Sequence, residues 1–239
     1  MLLTDCSESA RKQMPRQFVV TIDGPAGAGK TTVSRRLARQ VGFDYIDTGA
    51  LYRGVAHEAL ARKVDLKSNE VLAQLCKDLS IELVRRPQSA LRLFVNNVDI
   101  TDHIRTPEVT MAASAVSAQA AVRDYLLGLQ RALAQGRRAV FEGRDMGTVV
   151  FPGADVKFFL TADLDVRAGR RYLEMKDRFE LSLANVRRDI ACRDTNDSQR
   201  TLAPLKAAAD ATVIDTSGLS LDAVVERLAG AICKKIAGL

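Results

Sequence analysis

The eight residues from Gly24 to Thr31, GPAGAGKT, constrain the fold of this chain more than any other stretch. They follow a β-branched apolar run, FVVTID, and precede a segment in which Val33, Leu37 and Val41 recur at helical spacing. A strand, a glycine-rich loop and a helix form the context in which G-x-x-x-x-G-K-[ST] binds nucleotide phosphates. The stretch therefore predicts a bound nucleoside triphosphate, but it does not identify the phosphoryl acceptor.

The residues of this loop have distinct expected roles. Its backbone N–H groups point inward and hold the β-phosphate at a helix N-terminus. Lys30 is expected to reach the β- and γ-oxygens, and the hydroxyl of Thr31 to help hold Mg²⁺. The predicted ATP-binding residues are Gly24, Pro25, Ala26, Gly27, Ala28, Gly29, Lys30, Thr31 and Thr32.

Short extended and helical segments alternate along most of the chain, which predicts an α/β fold with a parallel sheet flanked by helices. The rhythm breaks where SIELV, LRLFVN and VDIT follow one another, a pattern typical of a small antiparallel meander. Thr106-Pro107-Glu108 then has the composition of a helix start. We expect a disordered tail at 1–17 and one domain at 18–239, with its core at 18–63, 108–165 and 202–239 and an insert at about 64–107.

Composition narrows the class of protein. A chain of 239 residues that is 47% hydrophobic and 27% charged is typical of a soluble globular protein. Its net charge of +6 favours an anionic partner, and nucleic acid, phospholipid and phosphorylated metabolites all fit. The four cysteines form no C-x-x-C pair, which argues against a zinc cluster or a disulfide framework. With no targeting or membrane-spanning segment in the sequence, we expect a cytoplasmic location.

Two further clusters have two interpretations each. Thr48, Tyr52 and Arg53 lie near a helix start in DTGALYRG, where a hydroxyl and an arginine suit a phosphate clamp. A threonine cap beside a solvated arginine explains the same pattern. EGRDMGTVVFP follows an apolar strand, and catalytic residues of open α/β sheets lie at the carboxyl ends of strands. A charged turn explains this second pattern equally well.

Two late helices carry arginines at spacings that place them on one helix face. Joined by a polar segment, such helices suit a lid that closes over phosphates, whereas salt-bridged solvated faces are the commoner outcome for charged helices. The residues concerned are Arg167, Arg170 and Arg171 in the first helix, and Arg193, Asp197 and Arg200 at i, i+4 and i+7 in the second.

Taken together, these segments resemble the bacterial cytidylate kinases, a family of nucleoside monophosphate kinases. The resemblance runs from about Phe18 to the C-terminus and rests on IDGPAGAGKTT, YIDTGALYR, IRTPEV, EGRDMGTVVFP, RDTNDSQR and APLKAAADATVIDTSGLS, in family order. It implies a P-loop kinase core, a monophosphate-binding insert with a small antiparallel sheet, and a mobile lid at about 166–201. It also implies that a monomer transfers a phosphoryl group from ATP to CMP or dCMP with Mg²⁺.

The resemblance favours the functional interpretation of each doubtful cluster. It implies that Thr48, Arg53, Arg144 and Arg200 surround the acceptor phosphate, that Ser114, Arg123 and Asp145 contact cytosine, and that Arg193 and Asp197 lie near the ribose. Arg167 and Arg171 would be lid arginines facing the transferred phosphoryl group, so the catalytic set is Lys30, Arg144, Arg167 and Arg171. Either Asp47 or Glu142 is expected to hold metal-bound water, although relatives often have aspartate where Glu142 stands.

Two alternatives remain from the residues alone. Another small-acceptor P-loop kinase, acting on UMP, AMP or shikimate, fits the glycine-rich loop, but the insert and GRDMGTVVFP argue against it. The other is a P-loop GTPase, or an ATPase that binds nucleic acid. The sequence has no N-K-x-D motif, and its 5% aromatic residues offer no stacking platform for nucleic acid. The expected partners are therefore ATP and CMP or dCMP, without nucleic acid or membrane.

Overall fold

The computed structural model describes residues 17–84, 91–177 and 180–239. The predicted disordered tail, apart from Gln17, and the polar residues 85–90 between SIELV and LRLFVN lie outside the described residues. The chain divides into two compact units. The first unit comprises the described residues up to Ile46, together with Leu133–Gln199 and Ala203–Leu239, and the second comprises Asp47–Ala132 and Arg200–Leu202.

A five-stranded sheet forms the centre of the first unit. The central strand pairs in parallel with a neighbour on each side, and the sheet order is β2-β6-β1-β7-β8, with strands numbered along the chain. Because parallel strands end at the same edge, the residues after β1 and β6 lie side by side. The strands are β1 (Phe18–Asp23), β2 (Asp44–Asp47), β6 (Arg138–Glu142), β7 (Val156–Thr161) and β8 (Thr212–Asp215).

Helices cover this sheet and bury its apolar side chains. The helix α1 (Lys30–Val41) and the C-terminal helix share one continuous core with the strands. Its fully buried side chains include Val20, Ile22, Leu37 and Leu228. Gly42 ends α1 as expected, with φ at 71° and its N–H directed at the carbonyls of Ala38 and Arg39. The helices of this unit are α1 (Lys30–Val41), α6 (Leu164–Met175), α7 (Leu183–Gln199) and α8 (Leu221–Ala237).

Over its described residues, the second unit combines four helices with the small antiparallel sheet that the sequence predicts. Thr106 caps α4 (Pro107–Val116) as expected, accepting a hydrogen bond at 3.2 Å from the N–H of Val109. Within the described ranges of the chain, no helix combines the length and apolar character that crossing a membrane requires. The elements are α2 (Thr48–Ala61), α3 (Asn69–Lys77), β3 (Ile81–Val84), β4 (Arg92–Val95), β5 (Val98–Asp99), α4 (Pro107–Val116) and α5 (Ala120–Ala132).

The second unit is longer at both ends than the insert expected at about 64–107. The alternation of strand and helix assigns α2 to the core, since α2 directly follows β2. In the structure α2 packs on the small sheet instead, and a Cβ added to Gly54 would lie 3.2 Å from Leu93 and 3.4 Å from Val95. Close approach of helix and strand at a glycine therefore places α2 with β4. The predicted α/β class, with a helix-flanked parallel sheet and a small antiparallel sheet, is confirmed.

Candidate active site

The glycine-rich loop connects the end of β1 to the start of α1, as the sequence predicts. Gly24 and Gly27 have φ angles of 144° and 77°, in the region that side chains other than glycine rarely adopt. A Cβ on Gly24 would lie 2.0 Å from the carbonyl oxygen of Leu160, and one on Gly27 would lie 2.8 Å from that of Arg167. At these two positions the loop therefore runs so close to its neighbours that only glycine fits.

Lys30 is the first residue of α1, and its side chain is almost fully buried. Its Nζ donates a hydrogen bond of 2.7 Å to the carbonyl of Pro25, so the side chain folds back along the loop. Burial, and after it the guanidinium of Arg144, lower the pKa of Lys30 to about 7, against the opposing effect of the Glu142 carboxylate. A buried amine of this kind regains its full charge when an anion such as a phosphate lies next to it.

Glu142, the last residue of β6, lies beside the loop. Its Oε1 accepts a hydrogen bond of 2.8 Å from the hydroxyl of Thr31, and its Oε2 accepts one of 2.6 Å from Tyr45. A hydroxyl and a carboxylate both offer oxygen atoms as ligands, which Mg²⁺ prefers. At nucleotide sites this ion keeps several of its water molecules and binds the phosphates. Among residues 17–84, 91–177 and 180–239, no group of three or more His, Cys, Asp or Glu could hold a metal ion. The fit to Mg²⁺ therefore rests on Thr31 and Glu142.

One turn of π-helix, Met146–Val150, follows the end of β6. The carboxylate of Asp23, at the end of β1, accepts hydrogen bonds from the N–H groups of Met146 (2.9 Å) and Gly147 (2.8 Å). Burial raises the pKa of Asp23 to about 6, although both backbone hydrogen bonds lower it. Asp145 immediately precedes this turn and is 2% exposed. We did not predict a role for Asp23 from the sequence, although its place before the glycine-rich loop was a usable signal.

Arg144 is held by α7. Its Nε donates a hydrogen bond of 3.1 Å to Oδ2 of Asp197, so the structure brings together two predicted site residues that are 53 positions apart. Arg193, one turn earlier on α7, is close enough to Lys30 to lower its pKa. The first unit therefore places the guanidinium groups of Arg144 and Arg193 near Lys30 at the start of α1, which suits a polyanionic ligand.

The three arginines of α6 each have a different partner. Arg167 is 7% exposed and bonds the carbonyls of Ala162 (2.8 Å) and Ala26 (3.1 Å), which ties it to the glycine-rich loop. It also pairs with Asp194 at 2.5 Å. Arg170 bonds the hydroxyl and carbonyl of Thr216, and Arg171 pairs with Glu174 on its own helix at 3.1 Å.

In the second unit, Asp47 organises the start of α2. Asp47 is the N-cap residue, accepting a hydrogen bond of 3.2 Å from Ala50 N–H, while Thr48 is buried in the first turn. The other carboxylate oxygen accepts hydrogen bonds from Arg53 (2.8 Å) and Arg105 (3.2 Å). Both carboxylate oxygens of Asp47 are therefore engaged within the second unit. Arg105 was missed as a site candidate, although it belongs to the quoted segment IRTPEV.

Ser117 assembles a second cluster in this unit. Its hydroxyl donates to the carbonyl of Ser114 at 2.8 Å and accepts from Arg200 at 3.4 Å, while its own carbonyl accepts from Arg123 at 3.2 Å. Arg123 also lies over the ring of Tyr52, 5.9 Å from its centroid. Three predicted residues therefore meet around Ser117, which we did not single out from the sequence.

The prediction that Arg200 shares a helix face with Arg193 and Asp197 is wrong. Helix α7 ends at Gln199, so Arg200 lies beyond its last turn and belongs to the second unit. Spacing by i+7 describes a common face only while the helix continues. Arg200 instead reaches Ser117, a contact between residues 83 positions apart.

Some buried polar atoms of the predicted site have no hydrogen-bond partner within the described part of the chain. They include Nε of Arg53 and the hydroxyl of Ser114. Buried polar groups are hydrogen-bonded in the great majority of cases, so atoms of this kind suit contact with a bound ligand. Both residues belong to the set expected to bind the acceptor nucleotide.

The comparisons with known proteins agree with the sequence motifs. The family model described as cytidylate kinase matches residues 20–234. A protein named cytidylate kinase from Geobacter sulfurreducens is 47% identical over 214 residues, which cover 89% of this chain and 91% of that protein. One of the same name from Desulfitobacterium hafniense is 44% identical over 216 residues, which cover 90% of this chain and 92% of that protein.

A solved structure supplies a comparison of fold. The crystal structure of an uncharacterized protein from Eubacterium ventriosum matches with a TM-score of 0.51 at 10% sequence identity, covering 90% of this chain and 98% of that one. At that identity the likeness concerns the fold alone.

Proposed function

The chain belongs to the cytidylate kinase family, and we propose that it transfers the γ-phosphoryl group of ATP to CMP or dCMP, yielding ADP and CDP or dCDP. The observation that carries this proposal is the family match over residues 20–234, which includes both compact units. The glycine-rich loop supports the donor half of the reaction, since its backbone and Lys30 suit the β- and γ-phosphates.

On the donor side, we assign Mg²⁺ to the hydroxyl of Thr31, with Glu142 holding metal-bound water. The 2.8 Å hydrogen bond between these two side chains supports the assignment. Mg²⁺ bound there would neutralise charge on the phosphate oxygens. Lys30 contributes its ammonium group to the same charge balance, and the loop amides orient the triphosphate for in-line attack.

On the acceptor side, we assign the residues that the family resemblance implies. The second unit contributes the buried Nε of Arg53 and hydroxyl of Ser114, which suit a phosphate and a base respectively. Phosphoryl transfer needs positioning and charge neutralisation more than a covalent intermediate, so we assign no nucleophile to the protein. The assigned residues are Thr48, Arg53, Arg144 and Arg200 for the phosphate, Ser114, Arg123 and Asp145 for cytosine, and Arg193 and Asp197 for the ribose.

We assign Arg167 and Arg171 to the transferred phosphoryl group, as lid arginines. Arg167 already bonds the loop at Ala26. Arg171 would exchange its ion pair with Glu174 for a phosphate oxygen, at small cost because exposed ion pairs of this kind contribute little. Closure of α6 and α7 over the nucleotides would exclude water that otherwise competes for the phosphoryl group.

We further propose that the protein acts as a cytoplasmic monomer without nucleic acid or membrane partners.

The acceptor is tested by measuring ADP release in a coupled assay with ATP and Mg²⁺. CMP, dCMP, UMP, AMP, GMP and shikimate are supplied separately. We expect release that depends on CMP and dCMP, with UMP far behind. Release without any acceptor, or with AMP or shikimate alone, would contradict the proposed reaction and leave only the phosphate loop correctly assigned.

Asp145 is proposed to distinguish cytosine from uracil. Its carboxylate accepts a hydrogen bond from the 4-amino group of cytosine, whereas uracil presents a carbonyl there and leaves the carboxylate unpaired. Asp145→Asn should therefore reduce the ratio of kcat/KM for CMP over UMP by about tenfold or more, since a bond to a charged group contributes ~1.5–3 kcal/mol. The same change at the exposed Asp189 is the matched control. An unchanged ratio would exclude Asp145 from reading the base.

A further inference from the structure

Two hydroxyl groups from different elements hold both oxygens of Glu142. Thr31 on α1 donates to Oε1 at 2.8 Å, and Tyr45 on β2 donates to Oε2 at 2.6 Å. β2 is the neighbour of β6, whose last residue is Glu142. The carboxylate is therefore fixed between the helix that follows the glycine-rich loop and the edge strand of the sheet.

This arrangement matters because a glutamate side chain does not fix its own carboxylate. It has more rotatable bonds than an aspartate, and ordering them costs conformational entropy. The hydroxyl oxygen of Thr31 can face a cation while its hydrogen stays on Oε1, since a hydroxyl is both donor and acceptor. The bond from Tyr45 then determines where the other oxygen of Glu142 points.

Tyr45 is itself held in place from α1. The guanidinium of Arg35 lies over its ring, 5.4 Å from the centroid, at a distance typical of a cation–π contact. Arg35 follows Thr31 by four residues and so lies on the same face of α1. The ring of Tyr45 also packs against the core of the first unit. Packing and the cation–π contact orient the ring, and the hydroxyl is left to bond Glu142.

We propose that Tyr45 is a positioning residue for the metal site: it orients the carboxylate of Glu142 so that this group can bind water on a nucleotide-bound divalent cation at Thr31. The inference rests on the proposed function, which places that cation at the phosphate loop. Tyr45 itself is assigned no contact with substrate or metal. Loss of a group that orients a metal ligand commonly lowers metal affinity by about 10–100-fold.

Tyr45→Phe tests the proposal because it keeps the ring, its packing and the cation–π contact while removing only the hydroxyl. The probe is Mn²⁺, whose binding to the protein–ADP complex is measured by the loss of the free-ion signal in electron paramagnetic resonance. We expect the dissociation constant for Mn²⁺ to rise about tenfold, the lower end of the usual effect of losing an outer partner of a metal site. ADP affinity in the presence of EDTA should remain unchanged.

Tyr125→Phe is the matched control. Its hydroxyl donates a hydrogen bond of 2.7 Å to the carbonyl of Leu79 in the second unit, so it removes a comparable hydrogen bond without altering Glu142. Mn²⁺ affinity should be unaffected by this change. Wild-type Mn²⁺ affinity in Tyr45→Phe, or an equal loss in Tyr125→Phe, would overturn the proposal.

A double-mutant cycle asks whether Tyr45 acts through Glu142. In the Glu142→Gln background, Tyr45→Phe should cause little further loss of Mn²⁺ affinity, because residues that act through one another are not additive. A full additional loss would overturn the proposed route. The measurement contains no acceptor nucleotide, so it tests Tyr45 separately from the reaction. Failure of the wild-type protein to phosphorylate CMP would count against the proposed function instead.

Discussion

At the scale of single residues, Lys30 shows how its surroundings change the chemistry of a side chain that is easy to recognise in the sequence. The motif predicts a lysine that binds phosphate, but burial and Arg144 together lower its pKa to about 7. Above that pH the free protein holds Lys30 largely neutral. The phosphates of a bound nucleotide favour the charged form and raise the pKa again.

We therefore predict that nucleotide binding takes up a proton at pH values above about 7. ADP binding is measured by calorimetry near pH 8, in buffers with different ionisation enthalpies. Uptake should approach one proton, and it should be absent from Lys30→Ala. Equal uptake by this variant and the wild type would assign the proton to another group.

Gly24 is the residue whose identity the backbone constrains most. Gly24→Ala would combine a φ of 144° with a Cβ only 2.0 Å from the carbonyl oxygen of Leu160. We expect it to lower the free energy of unfolding by about 3 kcal/mol or more, a size reserved for defined structural conflicts. The measurement is urea denaturation.

Gly230→Ala is its control. Gly230 lies within α8, and a Cβ there would meet no atom within 4 Å. We expect this variant to gain about 0.5–1 kcal/mol from reduced chain entropy and better helix propensity. A Gly24→Ala protein as stable as the wild type would contradict the assigned backbone conflict.

At the scale of elements, the π-helical turn Met146–Val150 depends on a group from another strand. Asp23 accepts hydrogen bonds from the N–H groups of Met146 and Gly147, residues more than 120 positions away. Arg144 and Asp145 immediately precede this turn. The hydrogen bonds from Met146 and Gly147 to Asp23 therefore also position the backbone that carries these two residues. The sequence alone left this segment open between a catalytic strand end and a charged turn.

The pKa of Asp23, raised to about 6 mainly by burial, makes this contact testable. The amide resonances of Met146 and Gly147 should shift with an apparent pKa of about 6, and Asp23→Asn should abolish the titration. Because the pKa of Asp23 in the folded protein lies above its unfolded value of 3.8, the folded state binds the proton of this carboxyl more tightly than the unfolded state does. The contribution of Asp23 to stability is present below that value and is lost as pH rises through about 6. Amide shifts that stay constant from about pH 4 to 7 would contradict the raised pKa of Asp23.

At the scale of the whole molecule, the net charge of +6 raises the question of nucleic-acid binding. Many arginines are already engaged: Arg144 pairs with Asp197, Arg167 with Asp194, and Arg53 with Asp47. A charge distributed over such pairs gives a weak and strongly salt-dependent attraction to DNA. We infer that the basic character serves the nucleotide phosphates.

We therefore predict that the protein binds a labelled DNA duplex only at low ionic strength and releases it near 0.15 M salt, where charges are screened over about 8 Å. Fluorescence anisotropy at both salt concentrations measures this. Binding that persists at the higher salt concentration would favour the nucleic-acid-binding alternative, and addition of CMP would then show whether the two ligands compete.

Local features of this protein could be predicted from the sequence because they depend on neighbouring residues. The glycine-rich loop, the Gly42 end of α1 and the Thr106 cap of α4 each follow from turn chemistry and periodicity within a few positions. The small antiparallel sheet follows from the same kind of pattern. The motifs also indicated the family before any contact was known.

Tertiary structure alone decided which side chains meet. Thr31 and Glu142 are 111 positions apart, Arg105 and Asp47 are 58 apart, and no periodicity relates either pair. Helix α2 belongs to the second unit because it packs against β4, although the alternation of strands and helices assigns it to the core. Arg200 also belongs to the second unit, because α7 ends at Gln199. Local propensities act over one or two turns of chain, whereas the contacts that orient Glu142 and hold Arg200 arise only when distant elements pack together.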